Sequence, residues 1–291
     1  MNEVKVLDVR FVKGDSAFLV DDGETSVLYD TGFAFTGNEV AKNIKSALRG
    51  RTLDYIFLTH SHYDHAAGTP YIKRLFPNAT VVAGSYAARI FSKDSAKNLM
   101  RELDRKNAAS LGIFEYEDLM DELSVDRAVE DGETVMAGKM AFRVIALPGH
   151  TKCSVGYYCE EQGLLLSSET LGVFNGVDDV VPSYLVGYQS ALDAIARVKE
   201  LAPHRILLPH LGLIEGETVT FYLNRAEERA VEAAEVITRM LQNGGSPADA
   251  AAWFEDTFWK GYVREIYPVD AMRLNTGITV RLLSRELLGW E

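Results

Sequence analysis

Cysteine is scarce in this chain, with only Cys153 and Cys159 among 291 residues. A disulfide-stapled scaffold is thereby excluded, and such sparse usage suits a reducing cytoplasm. The two cysteines lie six apart on an expected strand, on one face but too far along it to bridge easily. Positive charge is also short, with 30 Lys and Arg against 42 Asp and Glu, a formal net charge of -12. Phosphate backbones require clustered cations, which argues against a nucleic-acid partner. No apolar run is long enough to span a bilayer, and the opening residues Met1 to Asp8 carry neither a basic stretch nor a sustained apolar one. Internal repeats, low-complexity segments and flexible linkers are absent as well. The expectation is a cytoplasmic protein without nucleic-acid or membrane partners. Ser167, Ser168 and Cys153 sit in no nucleophile-elbow pattern and are read as structural.

What is present is concentrated in few residues. Three of the six histidines fall in Thr59-His60-Ser61-His62-Tyr63-Asp64-His65. Imidazole and carboxylate bind divalent transition metals at neutral pH, so this run is a dense ligand cluster. The apolar run Leu53 to Leu58 before it reads as a strand, and Ala66 to Pro70 leads into a helical pattern. The cluster therefore sits on a strand-to-helix loop, which can turn His60 and His62 one way and Asp64 and His65 another. Two further histidines follow strand-proline patterns, His150 after Phe142 to Pro148 and His210 after Arg205 to Pro209, while Leu164 to Ser168 delivers Glu169. Strands that release donors at one sheet edge gather them in one place. His204 fits no such position and is read as structural.

The pattern resembles the metallo-β-lactamase-fold hydrolases, whose signature is His-x-His-x-Asp-His followed by a distant histidine, an acidic residue and a last histidine. The likeness covers roughly residues 3 to 215. It implies that His60, His62 and His150 hold one metal, that Asp64, His65 and His210 hold a second, and that Glu169 bridges them. It also places Asp30, in Ser26 to Gly32, as a partner that orients a ligand; plain turn chemistry explains the same Asp-Thr-Gly equally well. One position departs from the family, which usually has aspartate where this chain has Glu169. The longer carboxylate can bridge after a small backbone adjustment, bind one metal only, or swing out.

By the same resemblance the fold is α+β, an αββα sandwich with a helical insertion and a C-terminal helical extension. Residues 1–215 would form the metal-binding domain, with an insertion at about 85–123, and 216–291 a helical extension packed on it. The residue pattern gives strands at Val4 to Val12, Phe18 to Val20, Ser26 to Asp30, Leu53 to Leu58 and Thr80 to Ala83, with a helix from Asn38 to Leu48. A second β block runs from Val125 to Ser168. The long helix-prone stretch from Ser85 to Leu123 suits a lid or wall over a substrate pocket. Helices follow over Glu217 to Gln242, after Ser246-Pro247, and over Val269 to Leu288. The aromatic stripe Trp253, Phe254, Phe258, Trp259 and Tyr262 suits core packing or a homodimer contact.

An insertion together with a helical cap resembles the branch that includes the quinolone-signal response protein PqsE and thioesterase-like hydrolases. The resemblance implies a hydrolase with two divalent metal ions, zinc foremost with iron or manganese as alternatives. A metal-bound hydroxide would cleave a small ester, thioester, lactone or phosphoester, and Asp64 would relay a proton. The competing expectation is a regulatory or binding protein of the same fold with little catalytic output.

Overall fold

The computed structural model describes residues 4–290. The first three residues, on which the reading of the chain's start partly rests, lie outside that range. The described residues divide into two compact units. One comprises residues up to Ala146 together with Cys153–Ser168, the other Leu147–Lys152 with the residues from Glu169 onward.

The first unit opens with β1 (Lys5–Asp8), β2 (Phe18–Asp21) and β3 (Ser26–Tyr29), and then α1 (Gly37–Leu48) leads to β4 (Tyr55–Leu58). After the short α2 (Tyr63–Ala66) and α3 (Thr69–Leu75) come β5 (Thr80–Gly84), the insertion helices α4 (Ser85–Phe91) and α5 (Asp94–Ser110), and β6 (Arg127–Val129). These strands form one sheet in chain order, antiparallel from β1 to β3 and parallel from β3 to β6. The parallel part is fully buried in β3 and nearly so in β4 and β5, which is why those segments read as continuous apolar runs. Helix α1 closes the sheet with Val40, Ala41, Ile44 and Leu48, an apolar stripe at helical spacing whose burial contributes about 1.5–3 kcal/mol per large side chain.

A second, antiparallel array in this unit runs β7 (Thr134–Ala137), β8 (Met140–Ala146), β9 (Val155–Cys159) and β10 (Leu164–Leu166). It meets the first through Phe57, whose ring lies 5.2 Å from that of Phe142 and 4.6 Å from that of Tyr157. Tyr157 also donates to the Leu58 carbonyl at 2.8 Å, so a buried hydroxyl is satisfied where the two sheets touch.

Several expected boundaries shift for identifiable reasons. The first strand stops at Asp8 and does not reach Val12, because Asp8 Oδ1 accepts the Arg10 N–H at 3.0 Å and Asp15 Oδ2 takes those of Phe11 and Val12. The insertion is two helices that end at Ser110, followed by irregular chain and one 3-10 turn at Met120–Glu122. Cys153 lies ahead of β9, so the two cysteines do not share a strand. Strand β8 ends at Ala146 because Pro148 lacks an N–H and Gly149 follows with φ 141°.

The second unit contains the hairpin β11 (Val173–Phe174) and β12 (Val180–Val181), then α6 (Tyr188–Leu201), and the antiparallel pair β13 (Arg205–Leu208) and β14 (Gly212–Glu215). Helices α7 (Glu217–Gln242), α8 (Pro247–Phe258), α9 (Tyr262–Ile266) and α10 (Val269–Leu288) complete it. A reciprocal capping box starts α8, with Ser246 Oγ accepting the Asp249 N–H at 3.2 Å and Asp249 accepting the Ser246 N–H at 2.9 Å. Of the aromatic stripe, Phe254 and Phe258 are core residues with rings 4.6 Å apart. The short α9 had no periodic signal in the sequence.

Candidate metal centre

In the first unit the donors are set by strand register. Parallel pairing of Tyr29 with Phe57 brings the ends of β3 and β4 side by side, so Asp30 lies against Thr59 and His60. Asp30 adopts the left-handed backbone region at φ 54° and its side chain is fully buried. Its Oδ1 accepts the Thr59 N–H at 2.9 Å, and its Oδ2 lies 2.7 Å from His65 Nδ1 and 2.9 Å from the donating Ser16 hydroxyl. Thr59 Oγ1 lies 3.0 Å from Asp30 Oδ2 and 3.0 Å from His60 Nδ1.

An ionised carboxylate only accepts, so the Thr59 hydroxyl donates to Asp30 and accepts from His60 Nδ1–H. His65 Nδ1–H donates to Asp30 directly. Both imidazoles are thereby set in the tautomer whose Nε2 carries the lone pair that a metal would need. Asp30 is thus an orienting residue through two routes, and the turn its strand makes is part of the same arrangement.

His62, Asp64 and His65 follow at the start of α2. The ring of His60 lies 4.7 Å from that of His62 and 4.0 Å from that of His65, while Asp64 Oδ2 lies 3.7 Å from His65 Nε2. Ligand atoms of His60 and His62 come within 4.8 Å of each other, as do those of Asp64 and His65. His60 and His65 are buried; His62 and Asp64 are half-buried. Close approach of the chain behind α2 fixes this loop. The Thr31 N–H donates to the His65 carbonyl at 2.8 Å and the Gly68 N–H to the Gly32 carbonyl at 3.1 Å. A Cβ on Gly68 would stand 2.1 Å from the Thr31 oxygen, so only glycine fits there.

The insertion braces the same loop. Asp104 of α5 accepts the Ala34 N–H at 2.9 Å and the Tyr116 hydroxyl, and Phe33, Phe35, Tyr63 and Tyr116 form a continuous aromatic row. Burial pushes the Asp104 carboxyl up to about 7, although its hydrogen bonds to Tyr116, Ala34 and Phe35 act the other way.

In the second unit Glu169 occupies a 3-10 turn just after the β10 strand, and its carboxylate is buried. Its Oε2 lies 2.9 Å from His150 Nε2 and its Oε1 lies 3.0 Å from His210 Nε2. Burial alone would raise the Glu169 carboxyl, but the His150 and His210 imidazoles outweigh it and hold it well below the usual carboxylate range. His150 Nδ1 donates to the Ser183 carbonyl at 3.0 Å, which again directs Nε2 toward the carboxylate. A Cβ on Gly149 would meet Ala191 at 2.8 Å, so the residue before His150 must also be glycine. His210 lies at φ 61°, a sparsely populated conformation for a residue with a side chain.

Buried imidazoles with Nε2 turned toward a shared buried carboxylate form a donor set that fits a divalent metal. Among residues not foreseen from the sequence, Thr59 stood next to the motif and its position at a strand end is a usable signal. Ser183, Tyr262 and Tyr267 had none. Tyr262 donates to the His210 carbonyl and Tyr267 to Glu169 Oε1. His204 is exposed, and its carbonyl accepts the Gly216 N–H at 3.1 Å.

Residues 12–210 match the family described as the metallo-beta-lactamase superfamily, and the chain belongs to it. Its fold is accordingly the α+β metallo-β-lactamase fold with a C-terminal helical region, in a superfamily made up mostly of metal-dependent hydrolases. Among its relatives is the metallo-beta-lactamase fold-containing protein ST1585 of Sulfurisphaera tokodaii, 28% identical over 60% of this chain and 66% of its own length. A hydroxyacylglutathione hydrolase of Brucella anthropi is 29% identical over 45% of this chain. The chain spans only 39% of that hydrolase, and 34% of glyoxylase B2 of Dictyostelium discoideum, which is 28% identical over 39% of this chain. The crystal structure of ST1585 superposes with a TM-score of 0.60 at 19% identity, covering 98% of this chain and all of the other. That of TTHA1429 from Thermus thermophilus gives 0.59 at 20% identity, covering 91% and 87%. At these identities the structures speak for the fold alone. Among the described residues no helix is long and apolar enough to cross a membrane.

Proposed function

We propose that the two donor sets, His60, His62, Asp64 and His65 with His150, Glu169 and His210, hold a pair of divalent metal ions, and that the protein is a metal-dependent hydrolase of a small ester, thioester, lactone or phosphoester. Residues 1–215 act as the metal-binding domain and 216–291 as its helical extension. The observation that carries this reading is the Glu169 carboxylate, which presents one oxygen to His150 Nε2 and the other to His210 Nε2, as a bridging ligand would.

Bound ions would supply Lewis acidity and bring the pKa of a coordinated water from 15.7 to about 7. Asp30 and Thr59 keep His60 and His65 in the ligating tautomer, and Ser183 does so for His150. Asp64, half-buried beside His65, accepts a proton from the attacking water and passes it to the leaving group. Glu169 stays ionised and offsets cationic charge. A thioester heads the substrate panel because a relative named hydroxyacylglutathione hydrolase is 29% identical over 45% of this chain.

The test is elemental analysis of purified protein alongside turnover of thioesters, lactones and phosphodiesters. About two ions per chain with hydrolysis of one panel class is expected. Metal content near zero after reconstitution would sink the reading, and full metal content without turnover would favour a regulatory or binding role.

A further inference from the structure

The α9 segment sends two phenols to the donors of the second unit. Tyr262 opens α9 and donates to the His210 carbonyl, while Tyr267, one residue past its end, donates to Glu169 Oε1. The backbone of Tyr267 is pinned at both ends, its N–H donating to the Val263 carbonyl at 2.9 Å and its carbonyl accepting the Trp259 indole N–H at 3.0 Å. Its ring stands edge-on to His210 at 5.9 Å and borders a narrow cleft with Phe254, Met272 and Thr276. The phenol is therefore fixed before any ligand arrives.

Glutamate needs such a partner. Its carboxylate is reached through three side-chain torsions, and a bridging role requires both oxygens to be aimed at once. His150 and His210 flank the two oxygens but leave the tilt of the carboxylate plane open, because each can meet its oxygen over a range of angles. A rigid donor on one oxygen narrows that range. We propose that Tyr267 is a positioning residue for Glu169, a clamp through which the C-terminal helices fix the torsions and tilt of its carboxylate against His150 and His210. This rests on the metal-binding reading above and extends it to a residue far from the ligand motif.

The experiment uses metal-stripped full-length protein titrated with cobalt(II), read by calorimetry and by the visible d–d bands. Parent, Tyr267→Phe, Glu169→Gln, Glu169→Asp and the Tyr267→Phe, Glu169→Asp double variant are compared, with thermal melting of each metal-free form. Glu169→Gln identifies the binding step that depends on the carboxylate. Tyr267→Phe should weaken that same step roughly 10- to 100-fold, the range for residues that orient ligands. It should alter the d–d bands of that step and leave metal-free melting near the parent's. In the Glu169→Asp background the shorter chain does not reach the phenol, so adding Tyr267→Phe should change nothing further.

An unchanged affinity and spectrum in Tyr267→Phe would overturn the clamp while leaving the metal site standing. So would an equal loss at every binding step accompanied by a lowered melting temperature, or full additivity in the double variant. A parent that binds no cobalt would remove both the clamp and the site.

Discussion

Asp30 Oδ2 and His65 Nδ1 lie 2.7 Å apart with both side chains fully buried. The same carboxylate reaches His60 through the Thr59 hydroxyl, so one residue orders two imidazoles. Asp30→Ala should therefore lower metal affinity by about 10- to 100-fold while leaving His60 and His65 in place. Competition against a chromophoric chelator measures the affinity, and circular dichroism checks the fold. Parent-like affinity would mean that Asp30 serves the turn alone.

His62→Ala and Asp64→Ala are expected to abolish hydrolysis with little change in melting temperature. Both side chains are only half-buried at the start of α2 and contribute little to the core. Turnover on the panel substrate, measured beside thermal melting, tests this; unchanged rates in both would place the chemistry elsewhere.

Glu169→Asp should keep metal and appreciable activity, because the carboxylate remains and has one torsion fewer to fix. Glu169→Gln should do worse, losing the charge that offsets the cations and with it about 10- to 100-fold in affinity. If the glutamine variant binds and turns over like the parent, this glutamate is not a ligand.

Burial pushes the Asp104 carboxyl up to about 7 in the folded chain, from an ordinary 3.8. A raised carboxyl stabilises the fold fully below about pH 4 and loses that contribution as pH rises through 7, at about 1.4 kcal/mol per unit of pH across the window. Asp104→Asn removes the titration while its amide can still accept from Ala34 and hydrogen-bond to Tyr116. The melting-temperature difference between variant and parent should shift in the variant's favour between pH 5 and pH 8. A constant difference would show that Asp104 stays ionised throughout.

Much of this was legible because the determinants are local. Imidazoles and carboxylates in a run of six residues need only a strand end to present them, and α7 and α10 followed the apolar spacing to the residue. Asp30 stood undecided because the sequence does not say which residue pairs with Tyr29; parallel register with Phe57 decides it. The break between α4 and α5 was hidden because Ser92 and Lys93 are compatible with a helix, and only the turn at the Ser92 and Lys93 N–H groups reveals it. Tyr262 and Tyr267 were invisible as functional candidates, since an aromatic in a helical tail has packing as its ordinary fate and their partners lie far away in the chain.

That separation has a temporal side. His150, Glu169 and His210 leave the ribosome well before Tyr262 and Tyr267, the residues that hold a backbone carbonyl and a carboxylate of this donor set. At roughly 5–20 residues per second, several seconds of synthesis pass in between. On the metal-binding reading proposed above, a nascent chain would display its histidines and glutamate before the two phenols reach them, and selective loading would be a late event in the life of each molecule.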